Sequence, residues 1–104
     1  MRNQQIAQAI ILDGETTSNV VNVEGFAWMF VEVPSGDEST AVTVQVLSGD
    51  GSTYIDAFAI DDVTNQIKVL TSEELATFGP MRMIKLKVGS GVSGDKTYYC
   101  HMST

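Results

Sequence analysis

Apolar and polar residues alternate with a period of two along most of this sequence, between closely spaced turn signals. In one segment Val42, Val44 and Val46 alternate with Thr43 and Gln45. Such alternation is typical of an antiparallel strand that buries one side and exposes the other to water. Because the pattern recurs from end to end, the chain has to bury its apolar sides between sheets.

The alternation predicts eight strands separated by turns rich in Gly, Asp and Ser. A length of 104 residues fits one domain, residues 1–104, with a single core. We therefore expect an all-β fold, an antiparallel β-sandwich or jelly roll of about eight strands. The predicted strands are Gln5–Leu12, Ser18–Val23, Phe26–Val33, Ala41–Leu47, Thr53–Ile60, Gln66–Leu70, Met81–Val88 and Lys96–Met102.

One helical signal interrupts the strands. Thr71 and Glu74 are spaced as in a capping box, in which each side chain bonds the backbone N–H of the other residue. Gly79 and Pro80 follow closely and end the segment. The sequence thus predicts one short helix near residues 72–78.

Composition excludes several classes of function. The formal net charge is −7, which opposes binding to phosphate backbones. The apolar run near the N-terminus is interrupted by Gln8 and stopped by Asp13, so it is too short and too polar for a secretory signal or a membrane span. A single cysteine, Cys100, leaves no internal disulfide. We expect a soluble protein made in the cytoplasm, without nucleic-acid or membrane partners.

The basic residues are concentrated near the C-terminus. Residues 81–104 carry four basic side chains against Asp95 alone, whereas the rest of the chain is strongly acidic. Arg82, Lys85 and Lys87 are therefore candidates for pairing with acidic groups of a neighbouring subunit or shell. The alternative is an ordinary solvated charged surface.

The segment Phe26–Val33 breaks the alternation because both of its sides are apolar. Exposing several large apolar side chains is costly, since burying each one contributes roughly 1.5–3 kcal/mol. Another subunit or a host surface could cover the second side, and a curved strand or a covering loop could do the same. The candidate interface residues are Phe26, Trp28, Met29, Phe30 and Val31, with Phe26, Trp28 and Phe30 expected on one side and Ala27, Met29, Val31 and Val33 on the other.

The stretch LSGDGSTYIDAF raises the question of a metal site. Calcium needs about six to eight oxygen ligands, and this stretch offers only the carboxylates of Asp50 and Asp56. If the segment after the turn is extended, Asp56 shares a face with Tyr54 and Phe58 and lies away from Asp50. We interpret the stretch as a hairpin connection and predict no metal, with a weak site completed by Asp61 or Asp62 as the alternative.

The sequence carries no recognisable catalytic set. Cys100 and His101 are adjacent in a predicted strand, so their side chains point to opposite faces and form a poor nucleophile pair. We expect a buried thiol and a surface imidazole. No phosphate-binding loop or nucleophile elbow is present. These observations predict a protein that is not an enzyme and needs no cofactor.

Two matched passages carry a family resemblance. The central TVQVLSGDGSTYIDAF presents Ser48, Asp50, Gly51, Thr53, Tyr54 and Asp56, and the late ELATFGPMRMIKLKVGSG presents Phe78, Gly79, Arg82, Ile84, Lys85 and Leu86. With the early ILDGETTSNVVNVEGF, they cover most of the chain. In this order they resemble small virion-associated β-sandwich proteins of tailed bacteriophages.

The resemblance implies a structural role in the virion. Such proteins act as capsid decoration or cement proteins, typically as homotrimers bound to the major capsid protein on the outside of the shell. The implied location is the virion, assembled in the host cytoplasm. Related sandwiches also serve in tails and as head–tail connectors, which is one alternative.

A second alternative is a carbohydrate-binding module. Aromatic side chains on a sandwich can stack on sugar rings, and the candidates here are Trp28, Tyr54, Tyr98 and Tyr99. Trp28 lies in the most apolar run of the chain, which favours a core or interface role for it.

Overall fold

The computed structural model describes residues 4–70 and 83–104, which form eight strands in two antiparallel sheets. Each predicted strand corresponds to an observed one, although the second is reduced to two residues. The strands are β1 (Gln4–Ile11), β2 (Val21–Asn22), β3 (Trp28–Glu32), β4 (Val42–Leu47), β5 (Tyr54–Ile60), β6 (Ile67–Leu70), β7 (Met83–Val88) and β8 (Lys96–Ser103).

The strand order makes this sandwich a jelly roll. The first sheet has the order β1-β8-β3-β6 and the second has the order β2-β7-β4-β5. The chain therefore crosses between sheets at every connection except the β4–β5 hairpin, as in a long ribbon wrapped around a core. The predicted all-β sandwich is confirmed.

The described residues contain no helix, and so none that is long and apolar enough to cross a membrane. The helix predicted near residues 72–78 falls within residues 71–82, which lie outside the described part of the chain.

Alternate residues of the central strands form the core between the sheets. In the second sheet, Val42 and Val44 of β4 pack with Ile84, Leu86 and Val88 of β7, all essentially inaccessible to water. The predicted alternation of these two strands is confirmed. Their intervening side chains point away from the core and form the outer face of that sheet.

The two apolar sides of strand β3 lie in different environments. Met29 and Val31 are buried in the core, with Val33 just beyond the strand, whereas Trp28 is half exposed on the outside. The prediction that Phe26 shares the side of Trp28 is wrong, because Phe26 precedes the strand and packs against the core. Phe26 follows a turn at Glu24 and Gly25, and the chain bends at Ala27 before β3 begins at Trp28.

A β-bulge changes the predicted faces of β5. Val44 pairs with Phe58 and the next residue, Gln45, pairs with Asp56, so Ala57 is an extra residue on β5. Phe58 therefore packs against the core while Asp56 faces outward beside Gln45. The prediction that Asp56 shares a face with Phe58 is wrong because a bulge interrupts the two-residue period.

Strand β6 points its one charged residue inward. Lys68 is fully buried, and its ammonium donates to the carbonyls of Glu38, at 3.0 Å, and Asp62. These hydrogen bonds satisfy the buried charge and connect two loops at one end of the sandwich. As a result Ile67 and Val69, the neighbours of Lys68, point to solvent.

Candidate functional site

The outer side of the first sheet, which we call the apolar face, is the candidate functional surface. One row of paired residues crosses all four strands in the order Ile6, His101, Phe30 and Val69. Trp28 lies one row away on β3. Ile6 is 61% exposed, Trp28 50% and Val69 63%, so a sheet surface rich in apolar side chains faces solvent.

The apolar face is concave at one end. A depression of about 670 Å³ is lined by Gln4, Ile6, Trp28, Phe30 and Val69, among others. Apolar surface of this kind, edged by polar side chains, is typical of places where proteins contact other molecules. The first sheet thus carries the candidate contact surface among the described residues.

Among the described residues, the apolar face carries one titratable pair, His101 and Glu32. The ring of Phe30 stacks on the histidine. The Nε2 atom of His101 lies 3.0 Å from the Oε1 atom of Glu32, and the imidazole stacks on Phe30 with ring centroids 4.4 Å apart. His101 and Phe30 are opposite each other on β8 and β3. The pair provides a polar centre within an otherwise apolar row.

The outer side of the second sheet, which we call the polar face, is of a different chemical character. The Lys85 ammonium lies 4.7 Å from the centroid of the Tyr54 ring. The Lys87 ammonium lies 3.2 Å from Asp56, which also accepts a hydrogen bond from Gln45. These bonds lower the pKa of Asp56, and the hydrogen bond from Gln45 contributes most.

The candidate basic residues therefore have partners within the chain where the structure describes them. Lys85 contacts Tyr54 and Lys87 contacts Asp56, both across strands of the second sheet. Arg82 lies outside the described residues. The structure does not bring Lys85 or Lys87 onto the apolar face.

Both carboxylate oxygens of Asp50 accept hydrogen bonds from residues of the same loop. One Asp50 oxygen accepts from the backbone N–H groups of Ser52 and Thr53, each at 2.9 Å, and the other accepts from the Thr53 hydroxyl. These bonds lower the pKa of Asp50 to about 2. Asp56 bonds elsewhere, and no cluster of three metal-ligating side chains occurs among residues 4–70 and 83–104.

Two candidates on β8 are buried. Burial raises the pKa of the Cys100 thiol to about 12, which keeps it protonated and unreactive. Tyr98 is buried as well, and burial raises the pKa of its hydroxyl. Cys100 faces the core and His101 faces outward, as predicted, so they form no nucleophile pair.

Sequence reasoning missed Ile6, Ile67 and Val69 as members of the apolar face. In β6 the only charged residue is Lys68, and a pattern argument places it in water, with its neighbours inside. The observed orientation is the reverse. The order of residues in β6 carries no signal for this orientation, because one acceptor carbonyl, that of Glu38, is 30 residues away in the sequence.

Comparisons with known proteins add a fold neighbour. No protein-family model matches this sequence, and a search of curated proteins finds no match either. Among solved structures, the chain is similar to the crystal structure of the SPBc2 prophage-derived protein YomS, with a TM-score of 0.63 and 11% sequence identity. The alignment covers 100% of this chain and 96% of that chain. At this identity the likeness shows a shared fold.

Proposed function

We propose that this chain is a structural virion protein of a tailed bacteriophage, of the capsid decoration or cement type. It associates with copies of itself and binds the major capsid protein on the outside of the shell. The resemblance of its sequence motifs implies homotrimers. The role requires neither a catalytic group nor a cofactor, and its location is the virion after assembly in the host cytoplasm.

The observation that carries this proposal is the apolar face. A decoration protein needs contact area, repeated many times by the symmetry of the shell, and no reaction chemistry. Ile6, Trp28 and Val69 supply exposed apolar area on one sheet, and the polar face opposite keeps the assembled subunit compatible with water. The fold shared with a prophage-derived protein supports the phage assignment.

Binding to purified capsids tests the proposal. Wild-type protein is expected to co-sediment with capsids to saturation, and Trp28→Ser is expected to bind at least roughly tenfold more weakly, because large aromatic anchors dominate contact energies. Ile55→Ser is the matched control, since Ile55 is 51% exposed but lies on the second sheet. Absence of saturable binding by the wild type, or equal losses in both variants, would contradict the proposal.

A tail or connector protein is distinguished from a decoration protein by its location on the particle. Mass spectrometry of separated heads and tails is expected to find the chain with heads. Recovery with tails alone would favour the connector or tail alternative.

A carbohydrate-binding function is the second candidate, favoured by the half-exposed Trp28 beside Gln4 and Ser103 in the depression. Tyr98 is excluded as a platform because it is buried, and Tyr54 lies beneath Lys85. A glycan array separates the two functions. Saturable binding to one glycan class that is lost in Trp28→Ser would favour this candidate over decoration.

A further inference from the structure

The apolar face carries a single carboxylate. Strand β1 contains no ionisable residue, and the only charged residue of β6, Lys68, points inward. On β3 the only charged residue is Glu32. The lysine of β8, Lys96, alternates with the outward residues of its strand and bonds Asp37 in a loop. Within the described part of the chain, Glu32 is therefore the one fixed charge on this face.

Glu32 lies among exposed apolar side chains. It pairs with Ile67 across β3 and β6, and the next row of the sheet contains Phe30 and Val69. Ile67 is 42% exposed and Val69 63%. A partner that covers these side chains also covers Glu32, whose side chain is 35% exposed. A carboxylate removed from water is costly unless a positive charge compensates it, so the partner has to match this group.

His101 meets only part of this requirement. Its Nε2 atom lies 3.0 Å from the Oε1 atom of Glu32, and its ring is held by stacking on Phe30. Because a carboxylate only accepts hydrogen bonds, the imidazole N–H is the donor. An imidazole is mostly uncharged near neutral pH, so this bond leaves the negative charge uncompensated. Among the described residues, none bonds the other oxygen, Oε2.

The charge of the whole chain favours a partner of the same chemistry. A net charge of −7 surrounds the subunit with negative potential, which attracts a positive surface and repels a negative one. The apolar face has no basic group among its described residues to offset this potential, since Lys85 and Lys87 lie on the polar face with partners there. Charge complementarity therefore selects a surface that is both apolar and basic.

We infer that the apolar face docks on an apolar surface of the major capsid protein that places a lysine or arginine side chain against Glu32. The Oε2 atom of Glu32 accepts from this basic group, while Ile67 and Val69 contact the apolar part. The inference rests on the proposed function, which supplies the capsid protein as the occupant. It adds specificity, because a capsid surface without a basic group at this point would leave Glu32 covered and uncompensated.

The salt dependence of capsid binding tests the sign of the partner's charge. Wild-type affinity for purified capsids, measured by co-sedimentation, is expected to fall as NaCl rises from about 50 mM to about 500 mM, because salt screens attraction between opposite charges. An affinity that rises with salt would show that the capsid surface is negative and would overturn the inference. This measurement needs no variant.

Glu32→Gln tests the contact at the residue. The substitution keeps the size of the side chain and an acceptor for His101 but removes the charge. Binding at low salt is expected to weaken at least roughly tenfold, and its salt dependence should become shallower. The urea midpoint of the variant is expected to stay close to that of wild type, because an exposed ion pair contributes little to folding.

Glu15→Gln is the matched control. Glu15 is exposed in the loop after β1 and lines a different depression together with Lys85 of the second sheet. The control removes the same charge from the chain but not from the apolar face, and it is expected to bind nearly as tightly as wild type. Equal losses in the two variants would show that only the overall charge matters and would overturn the inference.

The pH dependence distinguishes a basic partner from protonation of His101. The ionisable groups described beside His101 on the outer side are Glu32 and Tyr99, since β1 and β6 present none there. If the capsid supplies the positive charge, protonation of His101 compensates Glu32 first. Wild-type binding should then weaken as the pH falls from about 8 to about 6, where imidazoles ordinarily take up a proton. Glu32→Gln should bind with less dependence on pH.

Two outcomes separate this inference from the proposed function. Stronger wild-type binding at about pH 6, absent in Glu32→Gln, would show that His101 supplies the compensating charge and would overturn the basic partner alone. Saturable binding that is insensitive to salt and to Glu32→Gln would do the same. Absence of saturable binding under every condition would contradict the proposed function and the inference together.

Discussion

Both outer faces of this sandwich are formed by alternate residues of their strands, but one face is polar and the other is largely apolar. On the polar face each charged side chain described has a partner beside it, as Lys87 has Asp56 and Lys85 has the ring of Tyr54. On the apolar face Ile6, Trp28 and Val69 extend into solvent around a single His101–Glu32 pair. Of the two outer faces, the exposed apolar area is therefore concentrated on that of the first sheet.

The burial of Lys68 is one cause of this difference. Because its side chain points inward and its ammonium bonds the loop carbonyls of Glu38 and Asp62, Ile67 and Val69 must face outward. The inward lysine also protects the β6 edge. One buried charge thus shapes both the surface and the edge of the first sheet.

The largest expected effect concerns the core that the two faces share. Leu86→Ala removes a fully buried side chain between the sheets and should lower the free energy of unfolding by about 2–5 kcal/mol, measured by urea denaturation. Thr43→Ala, an outward residue of the adjacent strand β4, is the control and should change it by about 0.5 kcal/mol or less. Similar losses in both variants would contradict the assignment of inner and outer sides.

The contact between Lys85 and Tyr54 tests whether the polar face is satisfied within the chain. A double-mutant cycle with Lys85→Met and Tyr54→Leu should give a coupling energy of about 0.5–1 kcal/mol in the free energy of unfolding. A coupling of zero would mean that Lys85 is available to an outside partner, which would weaken the contrast between the faces.

Acid should loosen the β4–β5 hairpin of the second sheet. The pKa of Asp50 is about 2 in the folded chain, against an ordinary value of 3.8, so its stabilising contribution is present above about pH 4 and is lost as the pH falls towards 2. The urea midpoint should fall over that range, and Asp50→Asn should reduce the fall. An identical pH profile for wild type and variant would show that the loop contacts contribute nothing.

The smallest expected effect on stability is on the apolar face. Val69→Lys should change the free energy of unfolding by about 0.5 kcal/mol or less, because the side chain is largely exposed and has no described polar contact to lose. The same variant should weaken capsid binding. A large loss of stability would show that the apolar face supports the fold itself and would remove the argument for a contact surface.

Much of the fold could be predicted because alternation is a local property. The inner and outer sides of β4 and β7 follow directly from the order of their residues, and so does the opposite placement of Cys100 and His101. The Asp50 loop could also be interpreted correctly, since Gly and Asp favour turns through their own backbone and side-chain geometry.

The wrong predictions concern Asp56 and Phe26, where the chain departs from the two-residue period, and the orientation of Lys68 is a further departure from the usual pattern. The extra residue Ala57 turns Asp56 away from Phe58, and a turn before β3 sends Phe26 to the core. Lys68 points inward although a charged residue in a strand normally faces water. The bulge depends on pairing with β4, and the inward lysine depends in part on the Glu38 carbonyl, 30 residues away.

The sequence by itself determined eight strands, their turns, and the fact that the third strand is apolar on both sides, because a pleated strand displays its residue order directly. Only the tertiary structure decided that Met29 lies inside and Trp28 outside, and that Ile6 and Val69 join Trp28 on one face. Strand neighbours are chosen by pairing between distant segments, and residue order within one strand does not specify them.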